Sequence, residues 1–292
     1  MIFYLKQKKI LFNGVKFGAH ISIAGGVQNA PKNAKDIGCE AFQMFTHPPQ
    51  MGKVPSLSEK SVSEFKKELK KYKFTNFYIH APYIVNFASQ NPAIRHATIS
   101  IVRNNLERAD LLGASAMMTH LGSSREAGKE EGLKYVVKGL NETLEGYKGK
   151  TKFLIEISAG AGSVVGGTLE EIAWILKNIK NKNVGVCFDT QHAFASGYDL
   201  RSAEKVDEVF KKFDKLIGLE KLAVIHTNDS KTEFDSHKDR HEHIGKGFLG
   251  LSAFEALLSR PYLKDKDFIL ETESDLVEED LKVLKDIRKN LI

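Results

Sequence analysis

The sequence predicts an α/β fold, a single (β/α)8 barrel of the TIM type. Eight short runs rich in β-forming residues alternate with longer amphipathic stretches from residue 16 to the end. No composition break and no linker rich in Pro, Gly or Ser divides the chain. The length of 292 residues suits one large barrel, which commonly takes about 250 residues. The same alternation also allows a doubly wound sheet, which is the alternative fold.

The elements follow one another in a regular order. Residues 1–15 are predicted to be an N-terminal extension, and residues 16–292 the barrel domain. The predicted strands are 16–21, 39–45, 76–80, 115–120, 151–157, 184–189, 221–226 and 267–271. Helices fill the gaps, for example 58–72 with Ser58 as its cap, and 92–113 with Pro92 near its start.

Composition bounds the class of protein. Hydrophobic residues at 42% and charged residues at 27% describe a soluble globular chain. No run approaches the roughly 20 apolar residues of a membrane span, and lysines interrupt the amino terminus where a signal peptide would be apolar. Cys39 and Cys187 lie in apolar runs and are expected to be reduced, which favours the cytoplasm. The net charge of +6 suits a polyanionic partner without proving one.

Six successive predicted strands carry an ionisable side chain at or near their carboxyl end. These residues are His80, His120, Glu156, Asp189, His226 and Glu271. In a parallel barrel the carboxyl ends of the strands converge on one mouth, where active sites lie. Such groups would repel or desolvate one another unless a cation held them. Histidine with carboxylate is the ligand set that suits zinc or manganese, so the pattern predicts a polynuclear metal site.

Two later segments add candidate ligands. His192 lies three residues beyond Asp189, close enough to return to the same mouth. The stretch "HKDRHEHIG" has ionisable residues at four alternating positions: His237, Asp239, His241 and His243. In an extended segment all four side chains would share one face. The spacing alone does not say which of them bind.

Each of these residues also has a purely structural interpretation. A lone Asp or His at the end of a strand is most often a turn residue with satisfied hydrogen bonds. The 237–243 segment could be a solvated loop, and His20 could simply support its neighbours. His47 and His96 have no metal-like neighbours and are interpreted as surface or supporting residues. The convergence of six ionisable strand ends on one face is what favours the metal site.

Several segments together resemble the endonuclease IV family of AP endonucleases. They are "GAHISIAGG" (18–26), "IHAPYIVNFAS" (79–89), "THLGS" (119–123), "LIEISAGAGS" (154–163), "GVCFDTQHAFASGYDL" (185–200), "IHTNDSK" (225–231), "DRHEHIGKG" (239–247) and "FILETE" (268–273). They span almost the whole chain after residue 16, in the family's order and with similar spacing. A match of this extent is highly specific.

The resemblance implies three zinc ions held by nine side chains. Carried over by motif, the ligands are His80, His120 and Glu156 for the first zinc, Glu156, Asp189, His226 and Glu271 for the second, and His192, Asp239 and His241 for the third. Glu156 would bridge the first two ions. Glu156 and Glu271 are the carboxylates predicted to be catalytic. For the 237–243 segment, the resemblance favours Asp239 and His241.

The resemblance also implies an activity and a partner. The protein is expected to cleave double-stranded DNA on the 5′ side of an abasic site, leaving a 3′-hydroxyl and a 5′-deoxyribose phosphate, and to trim blocked 3′ ends. The abasic nucleotide must leave the helix to reach a barrel mouth. Tyr83, in the loop after the third strand, matches a DNA-contact position of the family. A monomer without a membrane partner is expected.

One segment departs from the family. After the second strand the family usually carries an Arg and a Trp that press into the minor groove, whereas this chain has "THPPQMGKV" (46–54). Met51 could act as an apolar wedge in place of the aromatic residue, and Gln50 could offer hydrogen bonds without the charge of Arg. The alternative is that the loop 47–52 packs on the barrel rim.

Two other functions are compatible with parts of this pattern. The related xylose isomerase-like barrels include sugar isomerases and epimerases, which commonly use one or two metals. The trio His192, Asp239 and His241 and the positive net charge argue against that function. A metal-stabilised DNA-binding protein without catalysis is the second alternative. Intact ligands with open coordination positions disfavour it.

Overall fold

A computed structural model describes residues 14–50 and 56–291 of the chain. Eight parallel strands form the barrel: β1 (Lys16–Ile21), β2 (Ala41–Met44), β3 (Phe77–His80), β4 (Ala116–Thr119), β5 (Lys152–Glu156), β6 (Val184–Asp189), β7 (Leu222–His226) and β10 (Asp267–Leu270). They close in the order β1-β10-β7-β6-β5-β4-β3-β2, which confirms the predicted fold class. A short antiparallel hairpin of β8 (Asp229–Ser230) and β9 (His241–Glu242) follows β7.

Helices surround the barrel. Among the described residues they are α1 (Ala30–Asp36), α2 (Glu59–Tyr72), α3 (Pro92–Leu112), α4 (Gly128–Leu144), α5 (Leu169–Asn178), α6 (Thr190–Ala195), α7 (Ala203–Leu216), α8 (Leu251–Leu258) and α9 (Val277–Leu291). Ser58 caps α2 by accepting a hydrogen bond from the Ser61 amide at 3.1 Å. Gly113 ends α3 with a φ of 89°, a left-handed conformation that favours glycine. No helix in these two described ranges has the length and apolar character of a membrane crossing.

The apolar core has two layers. The larger one fills the space between strands and helices, as expected for parallel strands covered on their outer face. The smaller one fills the barrel interior and consists of Ala41, Tyr78, Ala116, Met118, Leu154, Cys187, Val224 and Ile269. Side chains alternate along a strand with a period of two, so the residue two positions further on also points inward, one layer nearer the mouth. That rule decides which side chains form the site.

Candidate metal centre

The layer above the inner core carries the ionisable strand ends. His80, Glu156, Asp189 and His226 are the last residues of their strands, and His120 and Glu271 directly follow β4 and β10. Each lies two positions beyond an inner-core residue, as His80 lies beyond Tyr78 and Glu156 beyond Leu154. The alternation of the strands therefore turns all six side chains into the mouth of the barrel.

Glu156 lies at the centre of the cluster and is fully buried. Its Oε2 is 3.0 Å from His80 Nε2 and 3.7 Å from His120 Nε2. Its Oε1 is 3.0 Å from His226 Nδ1 and 3.5 Å from His192 Nδ1. One carboxylate thus offers its two oxygens to two separate groups of ligand atoms, the arrangement that a bridging carboxylate needs.

A second group of donors lies on the Oε1 side of Glu156. His226 Nδ1 is 3.1 Å from Glu271 Oε2 and 3.9 Å from Asp189 Oδ2. The donor atoms of Glu156, Asp189, His226 and Glu271 all lie within 4.8 Å of one another, and so do those of His80, His120 and Glu156. Both groups combine imidazole with carboxylate, which suits zinc.

A third group forms where α6 meets the loop that leads into β9. Asp189 caps α6 by accepting the His192 amide at 2.7 Å, and this turn directs His192 back to the mouth. His192 Nε2 is 3.3 Å from Asp239 Oδ1, and His241 Nε2 is 3.5 Å from the same oxygen. His241 Nε2 also lies 3.7 Å from Asp189 Oδ2, so this group adjoins the second one.

The ring nitrogens of these histidines fit metal binding. His80 Nδ1 lies 2.6 Å from the Ala81 carbonyl and His192 Nδ1 lies 3.0 Å from the Ile157 carbonyl. A carbonyl oxygen only accepts, so Nδ1 carries a proton, and Nε2 is the ring nitrogen that remains to bind a metal ion in the mouth. Within the described residues, the buried Nε2 atoms of His192 and His241 have no hydrogen-bond partner. Buried polar atoms of this kind require an explanation, and a bound metal supplies one.

The charges of the site require cations. Burial would raise the pKa of Glu156, but the charges of His120 and His226 and hydrogen bonds from His192 and His226 hold that pKa well below its usual range. For Asp239, the close approach of His192 and the charges of His192 and His241 outweigh partial burial and lower the pKa to about 2. Glu156 and Asp239 are therefore ionised, and protonated histidines balance them when no metal does.

The segment 237–243 sends only two of its four candidates into the site. His237 has a φ of 53°, so the segment is not extended there, and its side chain is exposed beside Asp235. His243 is buried away from the mouth, with Nδ1 2.7 Å from Asp280 Oδ2 on α9. Asp239 and His241 remain, the pair that the resemblance favours.

Two amide side chains in the site were not predicted. Gln43 on β2 is fully buried and contacts His226, Glu271 and His20. Asn228 donates to Asp189 Oδ2 at 2.7 Å, and its Oδ1 accepts the Glu271 amide at 2.8 Å. Gln43 lies two positions beyond the inner-core residue Ala41. The strand alternation that directs the ionisable ligands into the mouth therefore directs Gln43 there as well, and this was the sequence signal for it.

The residues predicted to contact DNA lie apart from the buried ligand cluster. Tyr83 is 65% exposed, and its ring centroid lies 5.6 Å from that of His80. Gln50 is exposed at the end of a described segment, whereas Met51, the predicted wedge, lies outside the described residues. The same holds for Gly52, the last residue of the loop 47–52, and for residues 1–13 of the predicted extension.

The three histidines interpreted as supporting or surface residues have separate environments. His20 Nδ1 lies 3.0 Å from Gln43 Nε2, in a supporting position. His47 is buried beside Asn105, and His96 is exposed on α3. Cys39 and Cys187 are both buried and unpaired, as expected.

Similarity to known proteins covers nearly the whole chain. A sequence profile of the family described as xylose isomerase-like TIM barrel matches residues 31–287. Probable endonuclease 4 of Clostridium botulinum is 40% identical over 263 residues, which are 90% of this chain and 94% of that protein. The crystal structure of endonuclease IV from Thermus thermophilus matches with a TM-score of 0.85 at 33% identity, covering 94% of this chain and 99% of that one. A D-tagatose 3-epimerase-like protein has a TM-score of 0.68 at 23% identity, covering 94% of this chain and 96% of that one, a likeness of fold alone.

The closed barrel and the donor groups at its mouth define a metal-dependent protein of the xylose isomerase-like class. Sequence identity then separates the members of that class, because the epimerase resembles this chain only in fold. The chain belongs to the endonuclease IV family.

Proposed function

We propose that this protein is an AP endonuclease of DNA base excision repair. It hydrolyses the phosphodiester on the 5′ side of an abasic site in double-stranded DNA, leaving a 3′-hydroxyl and a 5′-deoxyribose phosphate, and it trims blocked 3′ ends. The observation that carries this proposal is the three adjoining donor groups, two of which share Glu156, in a chain of the endonuclease IV family. Two buried, unpaired cysteines fit a reducing compartment, and we assign the protein to the cytoplasm. We also propose that it acts as a monomer.

Nine side chains would hold three zinc ions. The first ion would take His80, His120 and Glu156, the second Glu156, Asp189, His226 and Glu271, and the third His192, Asp239 and His241. When bound, the ions would supply Lewis acidity, which lowers the pKa of water and offsets charge on the phosphate. Three divalent ions added to a chain of net charge +6 would also make the mouth attractive to DNA.

The chain itself supplies positioning and shape. Glu156 and Glu271, the proposed catalytic carboxylates, are held as ionised acceptors within 3.1 Å of His226 Nδ1. Asn228 orients Asp189 and the backbone at Glu271 through its two amide atoms. The exposed ring of Tyr83 next to His80 offers a surface on which an extruded nucleotide can rest. An abasic nucleotide is the cheapest to extrude, because it has no base to unpair or unstack.

A nicking assay tests the proposed function. The metal-loaded protein is incubated, without added magnesium, with a duplex that carries one abasic site and with the matched undamaged duplex. We expect a single cut 5′ to the abasic site, with a 3′ end that a DNA polymerase extends directly. Cleavage on the 3′ side, or equal cleavage of both duplexes, would contradict the proposal.

His192→Ala should separate turnover from binding. Asp239, the partner of His192 in the third donor group, is exposed at the rim of the mouth. Loss of this group should therefore weaken charge stabilisation at the phosphate. It should affect docking of the duplex less, because other residues also contact the DNA backbone. We expect turnover to fall by roughly 100-fold or more, while affinity for abasic DNA changes by less than about tenfold. Single-turnover cleavage and fluorescence anisotropy measure the two quantities.

His96→Ala, which removes an exposed histidine of α3, is the matched control and should leave both quantities unchanged. A fall of binding in proportion to turnover in His192→Ala would show that the third group is needed for docking itself.

Gln50→Arg should strengthen binding to duplex DNA. Gln50 is exposed on the loop that follows β2, at the carboxyl end of the barrel, so an Arg there can reach a phosphate. We expect tighter binding, with a salt dependence steeper by about one unit of slope for each new phosphate contact. Anisotropy titrations across a salt series measure this slope.

Ser115→Arg is the control for the added charge, because Ser115 is exposed directly before β4, at the opposite end of the barrel. Equal slopes for the two variants would mean that the loop does not contact DNA.

A further inference from the structure

Gln43 lies inside the cluster of proposed ligands but cannot itself be ionised. Its amide makes three contacts: Oε1 is 2.7 Å from His226 Nε2, and Nε2 is 2.6 Å from Glu271 Oε1 and 3.0 Å from His20 Nδ1. The side chain is fully buried. Each of its polar atoms therefore has a partner, and two of these partners belong to the second donor group.

The neighbours of Gln43 determine which way its amide points. Gln43 Nε2 donates to Glu271 Oε1 at 2.6 Å, since a carboxylate oxygen accepts from an amide N–H. The second hydrogen of that NH2 points to His20 Nδ1, which can accept it. The carbonyl oxygen of Gln43 is left facing His226 Nε2. Turning the amide over would place oxygen against oxygen at Glu271.

The amide of Gln43 in turn orients the imidazole of His226. Because Oε1 of Gln43 accepts, Nε2 of His226 must carry a proton, which leaves Nδ1 as the ring nitrogen that a metal ion would bind in place of the Nδ1 proton. Nδ1 is the atom that faces Glu156 Oε1 at 3.0 Å and Glu271 Oε2 at 3.1 Å. In His80 and His192, Nδ1 is the ring nitrogen that points away from the mouth, and it contacts a backbone carbonyl instead. The orientation of His226 thus depends on a side chain, which a substitution can remove, and not on a backbone carbonyl.

We infer that Gln43 is a positioning residue, which directs Nδ1 of His226 and one oxygen of Glu271 to the second metal ion. The inference rests on the proposed metal set. Partners of this kind commonly change metal affinity roughly 10- to 100-fold when they are removed. A residue that only filled space would affect the stability of the fold and leave the choice of ring nitrogen untouched.

The experiment uses the zinc-loaded protein with 15N-labelled histidine. Long-range proton–nitrogen NMR spectra report which ring nitrogen of His226 binds zinc and which carries the proton. Competition with a chelator measures the affinity of each bound ion. Gln43→Met keeps the side-chain length without the amide, and Gln43→Glu keeps an acceptor for His226 but no donor for Glu271. Asn105→Leu removes another buried amide, one that contacts Thr46 and His47 rather than the ligands.

In the wild type and in Gln43→Glu, we expect zinc on Nδ1 and the proton on Nε2. Gln43→Met should show both nitrogens in use, or exchange broadening, and should bind one zinc roughly 10- to 100-fold more weakly. Asn105→Leu should bind zinc like the wild type. A single Nδ1-bound form with unchanged affinity in Gln43→Met would overturn the inference, and so would an equal loss of zinc from Gln43→Met and Asn105→Leu.

If Gln43→Met does not fold, Gln43→Glu decides, because an Nε2-bound form in that variant also contradicts the assigned role. Failure of the proposed function appears separately, as a wild-type protein that lacks the three ions. The variants are compared by the ring nitrogen and the affinity of the zinc ion that His226 binds, whatever the total number of ions.

Discussion

Glu156→Gln should lower cleavage of abasic DNA by about 10⁴-fold. The amide has nearly the size of the carboxylate but no charge, and both Glu156 oxygens lie at the junction of two donor groups. Loss of two metal ions from their places removes several kcal/mol of transition-state stabilisation, and each 1.36 kcal/mol corresponds to about tenfold in rate. Single-turnover cleavage of an abasic duplex, together with elemental analysis of the variant, measures the effect.

Glu40→Gln is the matched control for this substitution. Glu40 directly precedes β2, at the opposite end of the barrel, where it accepts from Arg288 at 2.7 Å and from the Phe17 amide at 3.0 Å. We expect Glu40→Gln to lower stability while cleavage per folded molecule stays at the wild-type rate. Near-normal cleavage by Glu156→Gln would show that the two proposed ions do not share this carboxylate.

Complete removal of metal should abolish cleavage and destabilise the fold. An ion present at about 1,000 times its Kd contributes about 4 kcal/mol of stability, which corresponds to roughly 7 °C in Tm for a chain of 292 residues. Brief treatment with EDTA should have little effect, because ions held by several buried side chains leave slowly. Prolonged dialysis against a chelator should remove them.

Calorimetry and cleavage assays follow the removal, and added zinc should restore both Tm and activity. Magnesium is the control ion, since it prefers oxygen ligands and suits a site rich in imidazole poorly. Full activity after exhaustive dialysis, or restoration by magnesium alone, would contradict the proposed zinc site.

The barrel and most of its donor cluster could be predicted because both depend on local patterns. Eight alternating strand and helix segments specify the barrel, and the period of two along each strand directs the side chain at its end into the mouth. Boundaries shifted by only a few residues, as in β2, which was predicted at 39–45 and spans Ala41–Met44. These features need no knowledge of distant contacts.

The arrangement of the third group depends on tertiary contacts. Alternation in 237–243 suggests one shared face, but the amides of Asp235 and His237 bond to the Phe194 and Ala195 carbonyls of α6. Both residues take positive φ values, 59° and 53°, and the segment turns at these residues. Spacing within the segment cannot report a bond to another helix, so it could not select Asp239 and His241.

Gln43 could not be identified from the pattern of ionisable strand ends. An amide in an apolar strand has no charge to mark it, and its partner His226 lies 183 positions away in the sequence. Only the closure of the barrel, in which β1 and β10 lie between β2 and β7, brings the two side chains together in the interior. The number and register of the strands must be known before such a contact can be inferred.

Native mass spectrometry of the purified, active protein tests the central claim, that nine side chains at the barrel mouth hold three zinc ions. We expect three zinc ions for each wild-type chain, and fewer than three in His192→Ala and Glu156→Gln at matched zinc concentration. A reproducible count of one ion per chain in fully active protein would contradict the claim.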